Sequence, residues 1–184
     1  MTQRSENQLI KSVLAGDREA CVELIERYHA PIYRLLVRLC RDAHWAEDLV
    51  QESFLAAWSN IGRFKASSSL NSWLHQIAYR KFIDALRHKN RSVAVDVAAP
   101  LEQVRSADAN PYELADASEQ ARRLSEGIDR LKMAEREVVV LHYLQGLSYE
   151  EMAEVLGQPT GTLKWRTRQA LENLRRLLEG ASAS

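Results

Sequence analysis

Lys164, Trp165, Arg168 and Gln169 are the residues whose types and spacing point most directly to chemistry. On a helix that turns about 100° per residue they share one face, continued by Glu172, Arg175 and Arg176. Arg, Lys and Gln side chains match the hydrogen-bonding edges of purines in the major groove. The opposite stripe holds Leu163, Thr167, Ala170, Leu171, Leu174, Leu177 and Leu178, and it reads as core. Just upstream, Ser148 and Glu151 have capping-box spacing, in which hydroxyl and carboxylate each satisfy a free N–H of a helix start. Gly157 suits a left-handed helix stop, Pro159 follows, and Thr160 suits the cap of the next helix. A short helix, a tight turn and a longer basic helix is the helix-turn-helix pattern, which reads bases with the first turns of its second helix. The plainer alternative is an amphipathic surface helix. The coincidence of cap, turn and basic face favours DNA.

A second stripe lies in the N-terminal half. Asp48, Gln51, Glu52 and Leu55 fall at i, i+3, i+4 and i+7, while Leu49, Val50 and Trp58 of the same segment face a core. That stripe suits docking onto a partner helix, although the spacing alone equally describes a solvated acidic face. Glu26 and His29 form one Glu-x-x-His pair; a di-iron site needs a second copy and two more glutamates, and no second copy exists. Cys21 and Cys40 occupy apolar periodic positions and read as buried structural thiols. There is no CxxC, no phosphate loop and no G-x-S-x-G. No metal site is expected from these residues.

These residues need helices to position them, and every periodic segment has the helical period. The set Cys21, Leu24, Ile25, Tyr28, Ile32, Leu35, Leu36, Leu39 steps by three and four, with Pro31 expected to kink or restart the helix. Ala46, Leu49, Val50, Ala57, Trp58, Ile61 form another set, and Leu70, Trp73, Leu74, Ile77, Ala78, Phe82, Leu86 a third. The stretch 62–69 is rich in Gly and Ser and reads as a loop. A later set runs through Leu124, Ile128, Leu131, Val138, Val139, Leu141, Tyr143 and Leu144. The expected fold class is all-α.

The 184 residues carry 25 basic and 25 acidic side chains, but the zero net charge is uneven. Residues 1–91 hold 14 basic and 10 acidic side chains; from 92 to 118 there is one basic residue, Arg105, against five acidic ones. That segment also holds Pro100 and Pro111 and reads as an acidic tether. The expected division is a first domain over 1–91, a linker over 92–117 and a second domain over 118–184. Arg80–Arg91 and Gly161–Arg176 are locally basic, a pattern compatible with selective contact to nucleic acid. No apolar run approaches the ~18 residues of a membrane span, and the polar N-terminus lacks a secretory h-region. With two cysteines, a reducing cytoplasm is expected.

The order of these segments resembles the extracytoplasmic-function (ECF) sigma factors of bacteria. AEDLVQESFLAAW is similar to the family's core-polymerase-binding motif, GRFKASS to its specificity loop, and SLNSWLHQIAYRKFIDALR to its minus-ten recognition helix. GLSYEEMAEVLGQPTGTLKWRTRQALENLR is similar to its minus-thirty-five helix-turn-helix. The resemblance spans roughly residues 8–178 and implies two helical domains, sigma-2 and sigma-4, in a non-enzyme with no cofactor and no small-molecule substrate, the chemistry being left to core RNA polymerase. It puts Asp48, Gln51, Glu52 and Leu55 on the polymerase clamp helices. It puts Lys65, Ser67, Ser68, Ser69 and Asn71 at the loop that captures a flipped minus-ten base, a task that needs a pocket with polar edges. Trp73, Gln76, Arg80, Lys81 and Arg87, with Asp84 bracing them, follow on the minus-ten helix. Thr162, Lys164, Trp165, Arg168 and Gln169 become minus-thirty-five readers, with Arg166 and Arg175 on phosphates. Gln76, Arg80 and Trp165 depart from the family's commoner residues, and such positions bear on promoter sequence.

The resemblance also implies an anti-sigma partner alongside core polymerase and promoter DNA. Three other functions compete. A stand-alone helix-turn-helix regulator leaves the DLVQE stripe unexplained, a sigma-like decoy predicts partner binding without transcription, and a di-iron enzyme predicts bound metal.

Overall fold

The computed structural model describes residues 4–64, 69–95 and 119–181, and no strand occurs among them. The described residues form eight α-helices: α1 (Glu6–Leu14), α2 (Arg18–Cys40), α3 (Ala43–Asn60), α4 (Leu70–Val95), α5 (Glu119–Arg130), α6 (Met133–Val139), α7 (Tyr149–Leu156) and α8 (Thr160–Ala181). Lys65, Ser67 and Ser68 lie outside the described residues, as does the expected linker from residue 96 onward. Residues 92–95, expected to open that linker, instead continue the backbone of α4.

Local chemistry sets the helix starts. Ser5 forms a capping box with Gln8 on α1, Asp17 accepts from the Glu19 and Ala20 amides on α2, and Asp42 accepts from the Trp45 amide on α3. Helix α2 ends at Arg41, a non-glycine residue in the left-handed region at φ 57°. Pro31 does not restart α2, which runs unbroken through it. The proline removes one amide donor, but Leu24, Tyr28, Ile32, Leu35 and Leu36 are buried on both sides of it and hold the helix to its neighbours.

Helices α1 to α4 pack around Leu9, Leu24, Ile32, Leu35, Leu36, Leu49, Leu70 and Phe82, each at most 2% exposed. Burying one such side chain is worth about 1.5–3 kcal/mol. Helices α5 to α8 pack around Ile128, Val138, Leu141, Leu147, Met152, Leu163 and Ala170. The apolar sets drift from expectation at their edges. Cys21 and Cys40 are half-buried rather than buried, and Ile25 and Leu171 are exposed at 36% and 39%. Both thiols are free, and burial, followed by the charge of Asp42, pushes the Cys40 thiol up to about 12. Tyr143 and Leu144 are also exposed, because α6 passes into a π turn over Val140–Leu144. Its wider repeat, with the Gln145 amide donating to the Val140 carbonyl, moves later side chains off the buried stripe.

The two helical sets also touch each other. Helix α4 packs along α7, and α2 packs against α6.

Candidate nucleic-acid interface

Helix α3 turns a polar stripe outward. Asp48, Gln51, Glu52 and Leu55 are all exposed, Leu55 at 67%, while Leu49, Val50, Ser53 and Phe54 of the same helix are buried. Glu52 is tied across to α4 by Lys81, with Nζ at 3.2 Å from its carboxylate.

Helix α4 begins at a crowded junction. The Ser69 hydroxyl accepts from the Ser72 amide at 3.1 Å, and the Leu70 amide donates to Glu6 of α1 at 3.1 Å. The Glu6 carboxylate thus sits at the positive end of the α4 dipole. Its other oxygen accepts from the Tyr28 hydroxyl, whose pKa rises to about 12 through burial and the Glu6 charge. Trp73 is half-buried with its ring edge-on to Phe64, centroids 5.4 Å apart. Asn71 is half-buried and its carbonyl accepts from His75 Nδ1. Arg80 and Arg87 are exposed, and Arg87 pairs loosely with Asp84 at 3.6 Å. Ser69 and Gln76 are half-buried, and each donates a hydrogen bond to α7. Ser69 Oγ donates to Glu151 at 2.9 Å, and Gln76 Nε2 donates to the Glu154 carbonyl at 2.7 Å.

The helix-turn-helix follows its local signals. Ser148 and Glu151 make both bonds of the capping box, and Gly157 closes α7 at φ 65°. Helix α8 then buries Leu163, Thr167, Ala170 and Leu174. Thr162, Lys164, Trp165 and Arg168 are exposed and Gln169 is half-buried. Trp165 is 64% exposed, far more than packing alone would leave a tryptophan. Lys164 Nζ lies over the Tyr149 ring at 5.6 Å. Arg168 and Gln169 both reach Glu172, at 3.3 and 3.5 Å, which restrains their rotamers along the exposed face. Arg175 is exposed and pairs with Glu179, whereas Arg166 is half-buried and close enough to Tyr79 and Glu137 to act on their ionisation.

The structure adds residues that sequence patterns did not single out, and they lie between the two helical sets. Arg38 of α2 donates to Ser125 at 2.6 Å and pairs with Asp129 at 3.3 Å, both on α5. The Tyr79 hydroxyl donates to the buried Glu137 at 2.9 Å. His75 is fully buried against α7 and the π turn, with Nε2 at 3.4 Å from the Gln145 amide. Cys21, Cys40, Glu26 and His29 assemble no site: no group of three metal-ligating side chains exists among the described residues, and His29 stacks on Tyr33 and Phe54. No helix among the described residues is long and apolar enough to cross a membrane.

Comparisons with known proteins agree with this architecture. Residues 24–92 match the family described as Sigma-70 region 2, and 121–174 match Sigma-70, region 4. The chain is 31% identical over 176 residues to the ECF RNA polymerase sigma factor SigW of Bacillus subtilis, covering 92% of this chain and 94% of that one. It is 33% identical over 179 residues to the ECF sigma factor SigM of Mycobacterium tuberculosis, covering 96% and 86%. The sigma factor RpoE of Bartonella quintana, solved in complex with the anti-sigma factor NepR, superposes with a TM-score of 0.68 at 27% identity, over 80% of this chain and 89% of that one. CnrH, solved with the cytosolic domain of CnrY, shares the fold with a TM-score of 0.67 at 22% identity, over 94% and 96%. Two helical sets, a helix-turn-helix with an exposed basic face, and relatives matched over nearly their whole length leave one assignment: the chain belongs to the ECF RNA polymerase sigma factors.

Proposed function

We propose that the chain docks on core RNA polymerase through Asp48, Gln51, Glu52 and Leu55 of α3 and directs it to promoters. The observation that carries this reading is the outward polar stripe of α3, ending in the exposed Leu55, directly beside core residues of the same helix. Residues 1–91 act as the sigma-2 domain, 92–117 as the acidic tether and 118–184 as the sigma-4 domain.

Lys65, Ser67, Ser68, Ser69 and Asn71 receive an unstacked minus-ten base, which lowers the cost of melting. Trp73, Gln76, Arg80, Lys81 and Arg87 carry the strand along α4. In the minus-thirty-five region, Thr162, Lys164, Trp165, Arg168 and Gln169 read base edges, while Arg166 and Arg175 hold phosphates. The protein performs no bond chemistry; the polymerase supplies it. An anti-sigma factor restrains it, a reading supported by RpoE having been solved with NepR. Its place of work is the cytoplasm, where polymerase and promoter are.

Equilibrium binding to bacterial core RNA polymerase tests the reading. Wild type binds below micromolar, and Gln51→Ala/Glu52→Ala weakens binding at least tenfold, which is ~1.4 kcal/mol. Absence of wild-type binding by monodisperse protein would sink the proposal and favour a stand-alone duplex-binding regulator. Run-off transcription then separates an initiator from a decoy.

A further inference from the structure

Lys164 differs from its neighbours on α8 in what steadies it. Arg168 and Gln169 reach Glu172 of their own helix, whereas Lys164 lies over the ring of Tyr149, with Nζ 5.6 Å from the ring centroid. Tyr149 is the first residue of α7, directly after the Ser148 cap, and packs half-buried against the core. Its ring is stacked on His142, with centroids 4.5 Å apart and planes at 28°. His142 and Tyr143 meet edge to face at 4.8 Å. The pile of rings therefore starts in the π turn over Val140–Leu144. After that turn, Gly146 at φ 72° sends the chain back on itself. The Leu147 amide then donates to the Leu141 carbonyl at 3.0 Å, and the Leu147 carbonyl accepts from His142 Nδ1 at 2.8 Å. A carbonyl only accepts, so Nδ1 carries a proton. Leu147 is 1% exposed and ties the turn to the core. His142 is held by a hydrogen bond at its ring edge and by a second ring on its face. Single π turns of this kind occur frequently at functional sites.

From this chain of contacts we infer that His142 and Tyr149 are positioning residues for base recognition: their stack aims Lys164 at one base pair of the minus-thirty-five region. This rests on the reading of α8 as the base-reading helix, and it names what orients one of its readers. A lysine ammonium is a point charge on a flexible four-carbon stem. Left loose, it swings between phosphates and base edges, and a phosphate contact carries no sequence information. The face of an aromatic ring is negative and attracts the ammonium, more strongly once DNA has displaced water from around it. A ring whose plane is fixed offers that attraction in one place only. Held there, Lys164 can donate to O6 and N7 of guanine, a pair of major-groove acceptors that no other base presents. His142 and Tyr149 need not touch DNA in this role; they act through Lys164.

The experiment uses the full chain bound to bacterial core RNA polymerase, with duplexes selected from a random pool by the wild type. Lys164→Ala marks the base pair that Lys164 reads, as the position where preference is lost, with guanine expected there. Tyr149→Leu keeps an apolar side chain but removes the ring, and should relax preference at that same base pair about fivefold. Tyr149→Phe keeps the ring and should stay within about twofold of wild type. His142→Ala leaves the Tyr149 ring unsupported and should relax the same base pair about twofold. It carries the test if circular dichroism shows that Tyr149→Leu disturbs folding. Added to Lys164→Ala, Tyr149→Leu should change nothing further at that base pair. NMR of the free chain reads the geometry without DNA: the ring should shift the Lys164 ε-methylene protons upfield in wild type and Tyr149→Phe, and Tyr149→Leu should abolish the shift. A uniform loss of affinity for all duplexes in Tyr149→Leu, or effects of Tyr149→Leu and Lys164→Ala that simply add, overturns the inference. Failure of the underlying reading shows separately, as a wild type that enriches no sequence, and it takes the positioning role with it.

Discussion

The Ser69 hydroxyl donates to Glu151 at 2.9 Å while accepting from the Ser72 amide, so one oxygen caps α4 and links it to the capping box of α7. Glu151 is equally shared. One oxygen takes the Ser69 proton and the other takes the Ser148 amide at 2.9 Å. Two helix starts separated by some 80 residues of sequence are therefore fixed by a single carboxylate.

That sharing predicts a graded response. Glu151→Gln keeps one acceptor oxygen, which can complete the capping box with the Ser148 amide but cannot also take the separate bond from Ser69. Glu151→Ala loses the box and leaves Ser69 without its partner, at a cost of about 1–2 kcal/mol. Urea unfolding followed by circular dichroism checks this. A Glu151→Gln loss as large as that of Glu151→Ala would show that charge, not bonding, is what matters. Acid titration provides the second test. Burial opposes ionisation of Glu151, but the Ser148 amide and the Ser69 and Ser148 hydroxyls outweigh it and hold the carboxyl below its usual value. A depressed carboxyl contributes stability that is fully present above the unfolded pKa of about 4.3 and is lost as pH falls through the folded one. The wild-type advantage over Glu151→Gln should disappear in that acid range.

His75 predicts a second, higher pH window. Burial lowers its pKa, opposed by bonds to the Asn71 carbonyl and Gln145 and by the Glu151 charge, and aided by Arg34. Nδ1 donates to the Asn71 carbonyl and Nε2 lies 3.4 Å from Gln145 Oε1, an oxygen that can only accept, so both contacts favour the protonated ring, and burial outweighs them. The buried form thus excludes a proton that the exposed form takes up. Stability is full above the unfolded pKa of about 6.5 and falls with acidification below it, by at most ~1.4 kcal/mol per pH unit. Glu137 works in the opposite sense, since burial raises its pKa, so wild type must be compared with His75→Gln, in which Glu137 is unchanged. Between pH 7.5 and 5.5 wild type should lose stability relative to the variant. Parallel pH profiles would remove His75 from the account.

The helix-turn-helix was legible from sequence because its determinants are local: a capping box four residues wide, a left-handed glycine and a short apolar stripe. The α3 stripe was legible for the same reason. The seam between α4 and α7 was not, because Gln76 meets Glu154 and Tyr79 meets Glu137 across separations that no periodicity encodes. Gln76 and Ser69 were legible as polar residues on a basic helix, but not as residues spent on another helix. Tyr143 and Leu144 were misplaced because a π turn shifts the phase of the buried stripe, and a fixed 3.6 repeat has no way to register it. Pro31 misled in the other direction, since tertiary packing outweighed a local break.

Gly157 carries the turn between α7 and α8 at φ 65°, and apart from the adjoining backbone nothing lies within 4 Å of where a Cβ would stand. The cost of Gly157→Ala is therefore backbone strain alone, about 1 kcal/mol, with Gly157→Asn cheaper because asparagine tolerates the left-handed region. Denaturant midpoints measure both. Equal losses for the two would mean that the turn itself had moved.

Trp165 separates folding from recognition. It is 64% exposed on α8, so Trp165→Ala should change unfolding free energy by no more than about 0.5 kcal/mol. Its flat apolar face beside Lys164 and Arg168 suits a thymine methyl or a base edge in the major groove, contacts worth about 1–3 kcal/mol in discrimination. Duplexes selected from a random pool by the polymerase-bound wild type give the probe. On those duplexes Trp165→Ala should bind about 5–150-fold more weakly, and a fresh selection with the variant should relax preference at one or two adjacent base pairs. Arg175→Ala, by contrast, should weaken all duplexes alike and flatten the salt dependence, as loss of a phosphate contact does. If Trp165→Ala also weakens every sequence equally, Trp165 is a packing surface against the backbone and specificity lies with Lys164, Arg168 and Gln169.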